Sequence, residues 1–389
     1  MIPYGRQDIA EEDIKSVIDV LNSDFITQGP VTPKFEKAVS SYCQSQYGVA
    51  VNSATSGLHI ACLALGLKKD DIVWTSPNSF VASANCAIYC GASVDFIDID
   101  PFTHNISFNA LEEKLIQAEA EGILPKILIP VHLSGLPCDM QKIFQLSKKY
   151  GFNIIEDASH AIGAKFSIKN NQNVGNCIYS DITVLSFHPV KIITTGEGGM
   201  CLTNSEDLHH KMQKLKSHGI SRATEDLPIH KGEKWNYSQD SFGFNYRMTD
   251  IQAALGVSQM NHLDDFVARR NEIARRYDHL MNDLPICLPW QHQDNHSSYH
   301  LYPIRLDLSV IKKTQQQVYD ELHRMKIIVN LHYIPVYLQP YYEKMGFSSG
   351  YCPIAEQYYK EALSIPMYPS MTDKQQDFVI DSLRRIIAS

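Results

Sequence analysis

Short apolar runs alternate with stretches of helical periodicity over the first 260 residues. Runs such as Ile127–Ile129 and Asn153–Glu156 are typical of strands that helices cover on both faces. This alternation predicts an α/β fold with a large, mostly parallel sheet. The predicted strands are Gly48–Asn52, Asp71–Thr75, Ser93–Ile97, Lys126–Val131, Asn153–Glu156, Ile178–Leu185 and Gly199–Thr203; the predicted helices are Thr55–Gly66, Phe80–Cys90, Leu111–Glu121, Met140–Tyr150 and Leu208–Ser217.

The pattern changes after about residue 220. Ser221–Arg247 is polar and shows no clear periodicity, and a loop of that length is usually functional or reaches toward a partner. A capping signal at Thr249-Asp250 then predicts one long helix from Thr249 to Asn282. The remaining elements are a β-rich run at Tyr299–Arg305 and helices near Lys313–Met325, Ala355–Leu363 and Asp373–Ile387. We therefore expect a large domain over 1–260 and a smaller α+β domain over 261–389.

Composition restricts the class of protein. With 44% hydrophobic and 20% charged residues, the chain is typical of a globular domain, and its formal net charge of -8 argues against nucleic-acid binding. Neither a secretory signal nor a run of roughly 20 apolar residues is visible, which predicts a cytoplasmic protein that does not enter the membrane. The nine cysteines lack the paired spacing of a metal site, so we expect reduced thiols and no metal.

The first candidate for chemistry is the segment Ser186-Phe-His-Pro-Val-Lys-Ile-Ile-Thr-Thr-Gly-Glu-Gly-Gly199. Its lysine, Lys191, follows a β-rich run and precedes a glycine-rich turn, where backbone can approach a ligand closely. A lysine that forms a Schiff base must lose its proton, and a site with few counter-charges favours that loss. The alternative is a solvated lysine at the surface.

The second candidate is Asn153-Ile-Ile-Glu-Asp-Ala-Ser-His160. A hydrophobic strand that ends in an acid directs Asp157 into the crevice where open α/β sheets bind ligands. Asp157 could keep a pyridine nitrogen protonated, and His160 could reach the phenolic oxygen of the same ring. The alternatives are a helix N-cap for Asp157 and a hydrogen-bonded, partly buried histidine for His160.

The third candidate is Val51-Asn-Ser-Ala-Thr-Ser-Gly57, where a strand runs into small hydroxyl-bearing residues and then a helix. The N-terminus of such a helix offers free backbone N–H groups to a phosphate, and Ser53, Thr55 and Ser56 can add hydroxyl donors. The alternative is an ordinary capped helix start.

Together, and in this order, these segments resemble the DegT/DnrJ/EryC1/StrS family of sugar aminotransferases, which have the type I, aspartate-aminotransferase-like fold. The resemblance covers essentially the whole chain. Further motifs that carry it are Thr27-Gln-Gly-Pro, Pro77-Asn-Ser-Phe-Val-Ala-Ser-Ala-Asn85, Glu156-Asp-Ala-Ser-His-Ala-Ile-Gly163, Gly243-Phe-Asn-Tyr-Arg-Met-Thr-Asp-Ile-Gln-Ala-Ala-Leu-Gly256 and His332-Tyr-Ile-Pro335.

The resemblance implies pyridoxal 5'-phosphate as the cofactor and a role for each matching residue. Lys191 would be the catalytic residue, bound to the cofactor as the internal aldimine and later moving the proton. The other cofactor-binding residues would be Asp157 at the pyridine nitrogen, His160 at the phenolic oxygen, Phe80 stacked on the ring, and Ala54, Thr55 and Ser186 at the phosphate. Asn245 would reach the phosphate from the neighbouring subunit, which implies a homodimer with composite sites.

Within the family, the resemblance is greatest to members that aminate a UDP-linked 4-keto-6-deoxy-N-acetylhexosamine in pseudaminic acid biosynthesis. It implies a ping-pong transamination with L-glutamate as donor, and dTDP- or GDP-linked 4-keto-6-deoxyhexoses are the alternative substrates. The residues implied on the substrate side are Tyr4, Asp24, Phe25, Ile26, Thr27, His188, His332, Tyr333, Ile334 and Pro335.

Two other hypotheses use the same fold. A sugar 3-dehydratase has histidine in place of the lysine, so Lys191 argues against it, and a non-enzymatic binding protein would not need such an amine. Arg247 could hold a glutamate carboxylate, although a structural pair with Asp250 is the preferred interpretation.

Overall fold

A computed structural model describes residues 1–221, 235 and 237–388. The strands are β1 (Tyr47–Val51), β2 (Ile72–Thr75), β3 (Ser93–Phe96), β4 (Ile127–Ile129), β5 (Asn153–Asp157), β6 (Lys165–Ser167), β7 (Gln172–Asn173), β8 (Ile182–Ser186), β9 (Gly199–Thr203), β10 (Ile220–Ser221), β11 (Ser238–Gln239), β12 (Ile286–Cys287), β13 (Tyr302–Leu306) and β14 (Ala362–Ile365). The helices are α1 (Glu11–Leu21), α2 (Val31–Cys43), α3 (Ala54–Ala64), α4 (Ala82–Tyr89), α5 (Phe108–Glu121), α6 (Met140–Tyr150), α7 (Glu206–Leu215), α8 (Asp250–Met260), α9 (Leu263–Leu280), α10 (Gln315–Arg324), α11 (Pro340–Glu343), α12 (Pro353–Glu361) and α13 (Asp373–Ala388).

The large sheet has seven strands in the order β1-β9-β8-β5-β4-β2-β3. Five of them, from β8 to β3, pair in parallel, and β9 runs antiparallel to both β8 and β1. Strands β4, β8 and β9 are buried along their whole length, as the apolar runs of the sequence predict. The predicted α/β fold with a large, mostly parallel sheet is confirmed.

The prediction of one helix over Thr249–Asn282 is wrong, because α8 ends at Met260 and α9 begins at Leu263. At the break, Asn261 N donates to Ser258 O and His262 N donates to Gln259 O. These bonds span three residues instead of four, so the helical series stops there. The apolar periodicity continues across the break, and so the pattern alone does not reveal it.

A second sheet, β12-β13-β14, lies in the C-terminal part of the chain. It shares a core with α9, α10 and α13 that includes the buried residues Tyr277, Tyr302, Val318, Leu322 and Leu383. The N-terminal part of α9 packs instead with the large sheet, through Leu263 and Val267. One helix therefore contributes to both cores, and the predicted boundary at residue 260 stays a prediction.

The segment predicted as a long loop is described only in part. Residues 222–234 and 236 lie outside the described residues, whereas Ser238–Gln239 pairs with Ile220–Ser221 as a two-stranded ribbon. Trp235 and Tyr237 are exposed. In the part of the chain that the structure describes, each helix is too short or too polar to span a lipid bilayer.

A buried polar network joins the middle strands of the large sheet. The Glu156 carboxylate, on β5, lies 2.7 Å from His132 Nε2 and accepts a 3.1 Å hydrogen bond from the Thr183 hydroxyl. His132 Nδ1 accepts from Cys138 N at 3.1 Å, so its ring proton lies on Nε2 and points at Glu156. The His132 ring is therefore a neutral donor to the Glu156 carboxylate, and the pair joins β5 to the segment after β4.

Candidate active site

The carboxyl ends of two neighbouring parallel strands bring the predicted residues together. Strand β5 ends at Asp157 and pairs with Val184 of β8, so β8 ends two residues later at Ser186 on the same edge. The chain then turns through Lys191 and returns as β9, whose first residue, Gly199, pairs with Ser186. The open edge of the sheet, where such folds bind ligands, therefore carries the Asp157 carboxylate, the Ser186 hydroxyl and the Lys191 amine.

Lys191 is held in a partly buried position instead of projecting into solvent, so the surface alternative is wrong. Its Nζ atom lies 3.5 Å from Nε2 of His300. Burial lowers the pKa of Lys191 to about 8, although the Asp157 carboxylate opposes the decrease. An amine with this pKa is neutral in a useful fraction of molecules near neutral pH, as nucleophilic attack requires.

Asp157 is fixed by three donors. Ser83 Oγ donates to Oδ2 at 2.6 Å, and the backbone N–H and hydroxyl of Ser159 donate to Oδ1 at 3.1 and 2.6 Å. No α-helix begins in the described residues 158–164, so the alternative of a helix N-cap is wrong. The carboxylate is held in one orientation at the edge of the sheet, as an ion partner for a ligand must be.

His160 is buried with a defined tautomer. Its Nδ1 accepts from the backbone N–H of Ser134 at 3.2 Å, so the proton lies on Nε2, which donates to the hydroxyl of Tyr333 at 3.1 Å. Burial, followed by repulsion from Lys191 and His332, holds the pKa of His160 far below its ordinary value. His160 is therefore a neutral hydrogen-bond donor that faces the site, and its state also matches the alternative of a hydrogen-bonded buried histidine.

The N-terminus of α3 forms a cradle beside these groups. Ser53 caps the helix by accepting from Ser56 N at 3.1 Å, while the N–H groups of Ala54 and Thr55 have no acceptor within the helix. A Cβ atom at Gly199 would lie 2.6 Å from the Ala54 nitrogen, so only glycine allows β9 to approach this turn. Ser186, opposite Gly199, lies at the same place. The helix start is therefore capped, as the alternative states. The cap still leaves the N–H groups of Ala54 and Thr55 free for an anion.

Aromatic side chains form a wall beside His160, whose Nε2 lies 3.1 Å from the Tyr333 hydroxyl. The Tyr4 ring lies 5.3 Å from His332, and Phe80 lies 6.5 Å from Tyr333. His332 is buried, and its Nδ1 lies 2.8 Å from the Ser364 hydroxyl. Phe80 and Ile334 are exposed at the rim, whereas Pro335 is buried. The structure therefore brings Tyr4 and the segment 332–335 together beside His160.

Other predicted residues lie outside this cluster in the single chain. Residues 24–27 are exposed and run beside the start of α8, where Thr27 pairs with Thr249. His188 is exposed on the Lys191 turn. Asn245 is also exposed, on a segment that contacts β1 through the bond from Asn52 N to Tyr246 O. The predicted roles of these residues stay predictions.

A family model described as the DegT/DnrJ/EryC1/StrS aminotransferase family matches residues 7–384. The chain belongs to this family. It is 36% identical over 388 residues to the UDP-4-amino-4,6-dideoxy-N-acetyl-beta-L-altrosamine transaminase of Campylobacter jejuni, covering 100% of this chain and 98% of the relative.

Solved structures of family members agree with the fold. Helicobacter pylori PseC, described as an aminotransferase involved in the biosynthesis of pseudoaminic acid, superimposes with a TM-score of 0.89 at 28% identity, covering 100% of this chain and 99% of its own. Spr1654 of Streptococcus pneumoniae, in its PMP-form, gives a TM-score of 0.90 at 27% identity with the same coverage. The chain is a pyridoxal-phosphate-dependent sugar aminotransferase.

The residues present in this DegT-family chain fit pyridoxal phosphate. The glycine-lined N-terminus of α3 would hold the phosphate, Asp157 would pair with the pyridine nitrogen, and Lys191 would supply the amine. Among the described residues, no group of three or more histidine, cysteine or acidic side chains is arranged to hold a metal ion.

Two contacts of this DegT-family site were not predicted. Ser83 donates to Asp157 and lies in the first turn of α4. The sequence signal for it is its place within residues 77–85, one of the motifs that carry the family resemblance. His300 follows Tyr299 in a β-rich run, where the sequence indicates only a strand.

The preferred interpretation of Arg247 is wrong. Asp250 accepts instead from Thr32 N at 3.2 Å, from the Thr32 hydroxyl and from Val31 N, which fixes the start of α2. Arg247 Nη1 donates to the Ser217 hydroxyl at 3.1 Å. Thr32 and Asp250 are distant in sequence, so the local spacing of Arg247 and Asp250 gave the wrong pair.

Proposed function

We propose that this enzyme transfers the amino group of L-glutamate to the keto carbon of a nucleotide-linked 4-keto-6-deoxy sugar. The favoured acceptor is UDP-2-acetamido-2,6-dideoxy-hexos-4-ulose, in the biosynthesis of an amino sugar such as pseudaminic acid. The observation that carries the proposal is the Lys191 amine, with its pKa of about 8, facing Asp157 at the open sheet edge. The name of the Campylobacter jejuni relative supports the choice of sugar.

The side chains divide the work between proton transfer and binding. Pyridoxal phosphate supplies an electron-withdrawing ring, which stabilises negative charge next to the transferred amino group. Lys191 Nζ would accept the proton from one carbon and return it to another, because its pKa lies close to the working pH. Asp157 would keep the pyridine nitrogen protonated. His160 would donate a hydrogen bond from Nε2 to the phenolic oxygen of the same ring.

The aromatic wall would hold the acceptor sugar. Tyr4 and His332 lie 5.3 Å apart and His332 and Tyr333 lie 5.0 Å apart, so the three rings form one continuous surface. Flat apolar faces with a few polar atoms suit a deoxysugar and a nucleobase. The exposed Asp24–Thr27 segment and Ile334 would extend this surface.

The proposed assembly is a homodimer in which Asn245 completes the phosphate site of the neighbouring subunit. The exposure of Asn245 and its place beside the turn after β1 support this arrangement. A cytoplasmic location is supported by the nine cysteines, all of which are free thiols, because the cytoplasm keeps thiols reduced.

A spectroscopic experiment tests donor and acceptor separately. After loading with pyridoxal phosphate, L-glutamate should replace the visible band of the lysine-bound cofactor by that of its amino form, and D-glutamate should not. UDP-, dTDP- and GDP-linked 4-keto-6-deoxy sugars are then added one at a time. We expect the UDP-linked N-acetyl sugar to restore the first band fastest. Restoration only by another nucleotide sugar would overturn the substrate, and no response to L-glutamate would overturn the donor.

A further inference from the structure

Three buried histidines lie close enough to Lys191 for its charge to affect them, and one of them differs from the others in its hydrogen bonding. His160 uses both ring nitrogens, toward Ser134 and Tyr333. His332 also uses both, because Nδ1 lies 2.8 Å from the Ser364 hydroxyl and Nε2 accepts from Asn330 at 3.4 Å. His300 contacts Lys191 through Nε2, whereas its Nδ1 is buried without a partner in the described part of the chain.

The position of His300 is fixed through its backbone. Arg270 Nη1 donates to the carbonyl oxygens of Tyr299, His300 and Met367 at 3.1–3.2 Å. The His300 ring lies 4.4 Å from the ring of His160 and is only 4% exposed. A side chain held this firmly can direct the atom that it contacts.

A purely structural role does not explain this histidine. A buried ring nitrogen without a partner costs free energy, and an apolar side chain of similar volume would fill the space without that cost. Nε2, the ring nitrogen of His300 that does have a partner, is the one that contacts the Lys191 amine. Because both the ammonium and the neutral amine carry N–H groups, an unprotonated Nε2 can accept from Lys191 in either state.

We propose that His300 is a positioning residue, which accepts a hydrogen bond from Lys191 Nζ through Nε2 and directs the amine toward the cofactor. This inference rests on the proposed function of Lys191 as the reacting amine. The ring proton of His300 then lies on Nδ1. Burial, with repulsion from Lys191, His160, Arg270 and His332, holds the pKa of His300 well below its ordinary value, so the ring stays neutral and available as an acceptor.

Two amide variants distinguish the two ring nitrogens. The terminal atoms of glutamine reach the position of Nε2, and those of asparagine reach only the position of Nδ1. H300Q therefore keeps an acceptor at Lys191, and H300N removes it. Because the acceptor stabilises the ammonium more than the amine, its loss should lower the pKa of Lys191 from about 8 toward 7.

The experiment measures Lys191 directly, without glutamate or sugar. The full-length protein, stripped of cofactor, is labelled with trace acetic anhydride from pH 6 to 10, and mass spectrometry measures acetylation of Lys191. We expect labelling at pH 7 to increase about fivefold in H300N and to stay within about twofold of wild type in H300Q. H279N, at an exposed position near the end of α9, is the matched control and should behave as wild type.

A melting curve for each variant checks the fold. If H300N lacks the wild-type transition, H300M takes its place, because methionine fills the volume without a strong acceptor, and the same increase is expected. An unchanged pH profile in the acceptor-free variant, or equal profiles in H300N and H300Q, would overturn the proposal. Since no substrate is present, failure of the proposed sugar or donor leaves this result unaffected.

Discussion

Replacement of Lys191 by alanine is expected to lower kcat by at least about a thousandfold and to remove the visible band of the lysine-bound cofactor. In the proposed mechanism, the variant would lose both the amine that joins the cofactor and the group that moves the proton between carbons. Lys191 Nζ lies 3.5 Å from Nε2 of the buried His300, and its pKa is lowered by burial, as the proposed role requires. Steady-state kinetics and an absorbance spectrum of the loaded variant measure the two effects.

A matched lysine variant separates chemistry from folding. Lys142 forms an exposed ion pair with Asp139 in the first turn of α6, and K142A should keep wild-type kcat. Small primary amines added to K191A should restore part of the turnover, because they can accept and return the same proton. Retention of more than about a tenth of wild-type kcat by K191A would contradict the assignment of Lys191.

The strands and the positions of Asp157 and Lys191 could be predicted because their signals are local. Asp157 and Lys191 each lie within one continuous motif at the end of a strand, and strand order places both at one edge of the sheet. The α3 cradle is also local, since a single turn supplies the cap and the free N–H groups. Short-range patterns therefore give both the fold class and the principal chemistry.

The supporting contacts could not be predicted, because they join distant segments. Ser83 and Asp157 are 74 residues apart, and Lys191 and His300 are 109 residues apart. The sequence around Ser83 and around His300 contains no pattern that indicates which distant residue each side chain contacts. The break between α8 and α9 is similar, since the periodicity continues through residues where the hydrogen bonding changes.

Asp157 offers the second test with a large expected effect, because asparagine preserves its shape and removes its charge. In D157N, the oxygen of the new amide could still accept from the N–H and hydroxyl of Ser159, which donate to Oδ1 in the native protein. The NH₂ group of that amide would face Ser83, whose hydroxyl can turn to accept and still has Ser79 as a neighbour at 2.7 Å. The fold should therefore tolerate the substitution.

D157N is expected to lower kcat by about a hundredfold or more, because the amide cannot hold a proton on the pyridine nitrogen by opposite charge. The same carboxylate raises the pKa of Lys191, so in D157N the cofactor should become attached to Lys191 at lower pH than in wild type. S83A, which loosens the carboxylate but keeps its charge, should show a much smaller decrease and no such shift. A melting curve confirms folding, kcat measured at saturating cofactor gives the first effect, and the visible band of the lysine-bound cofactor measured from pH 6 to 9 gives the second. Wild-type kcat in D157N would show that the charge does not act on the cofactor, whereas equal losses in D157N and S83A would show that orientation, and not charge, is what Asp157 contributes.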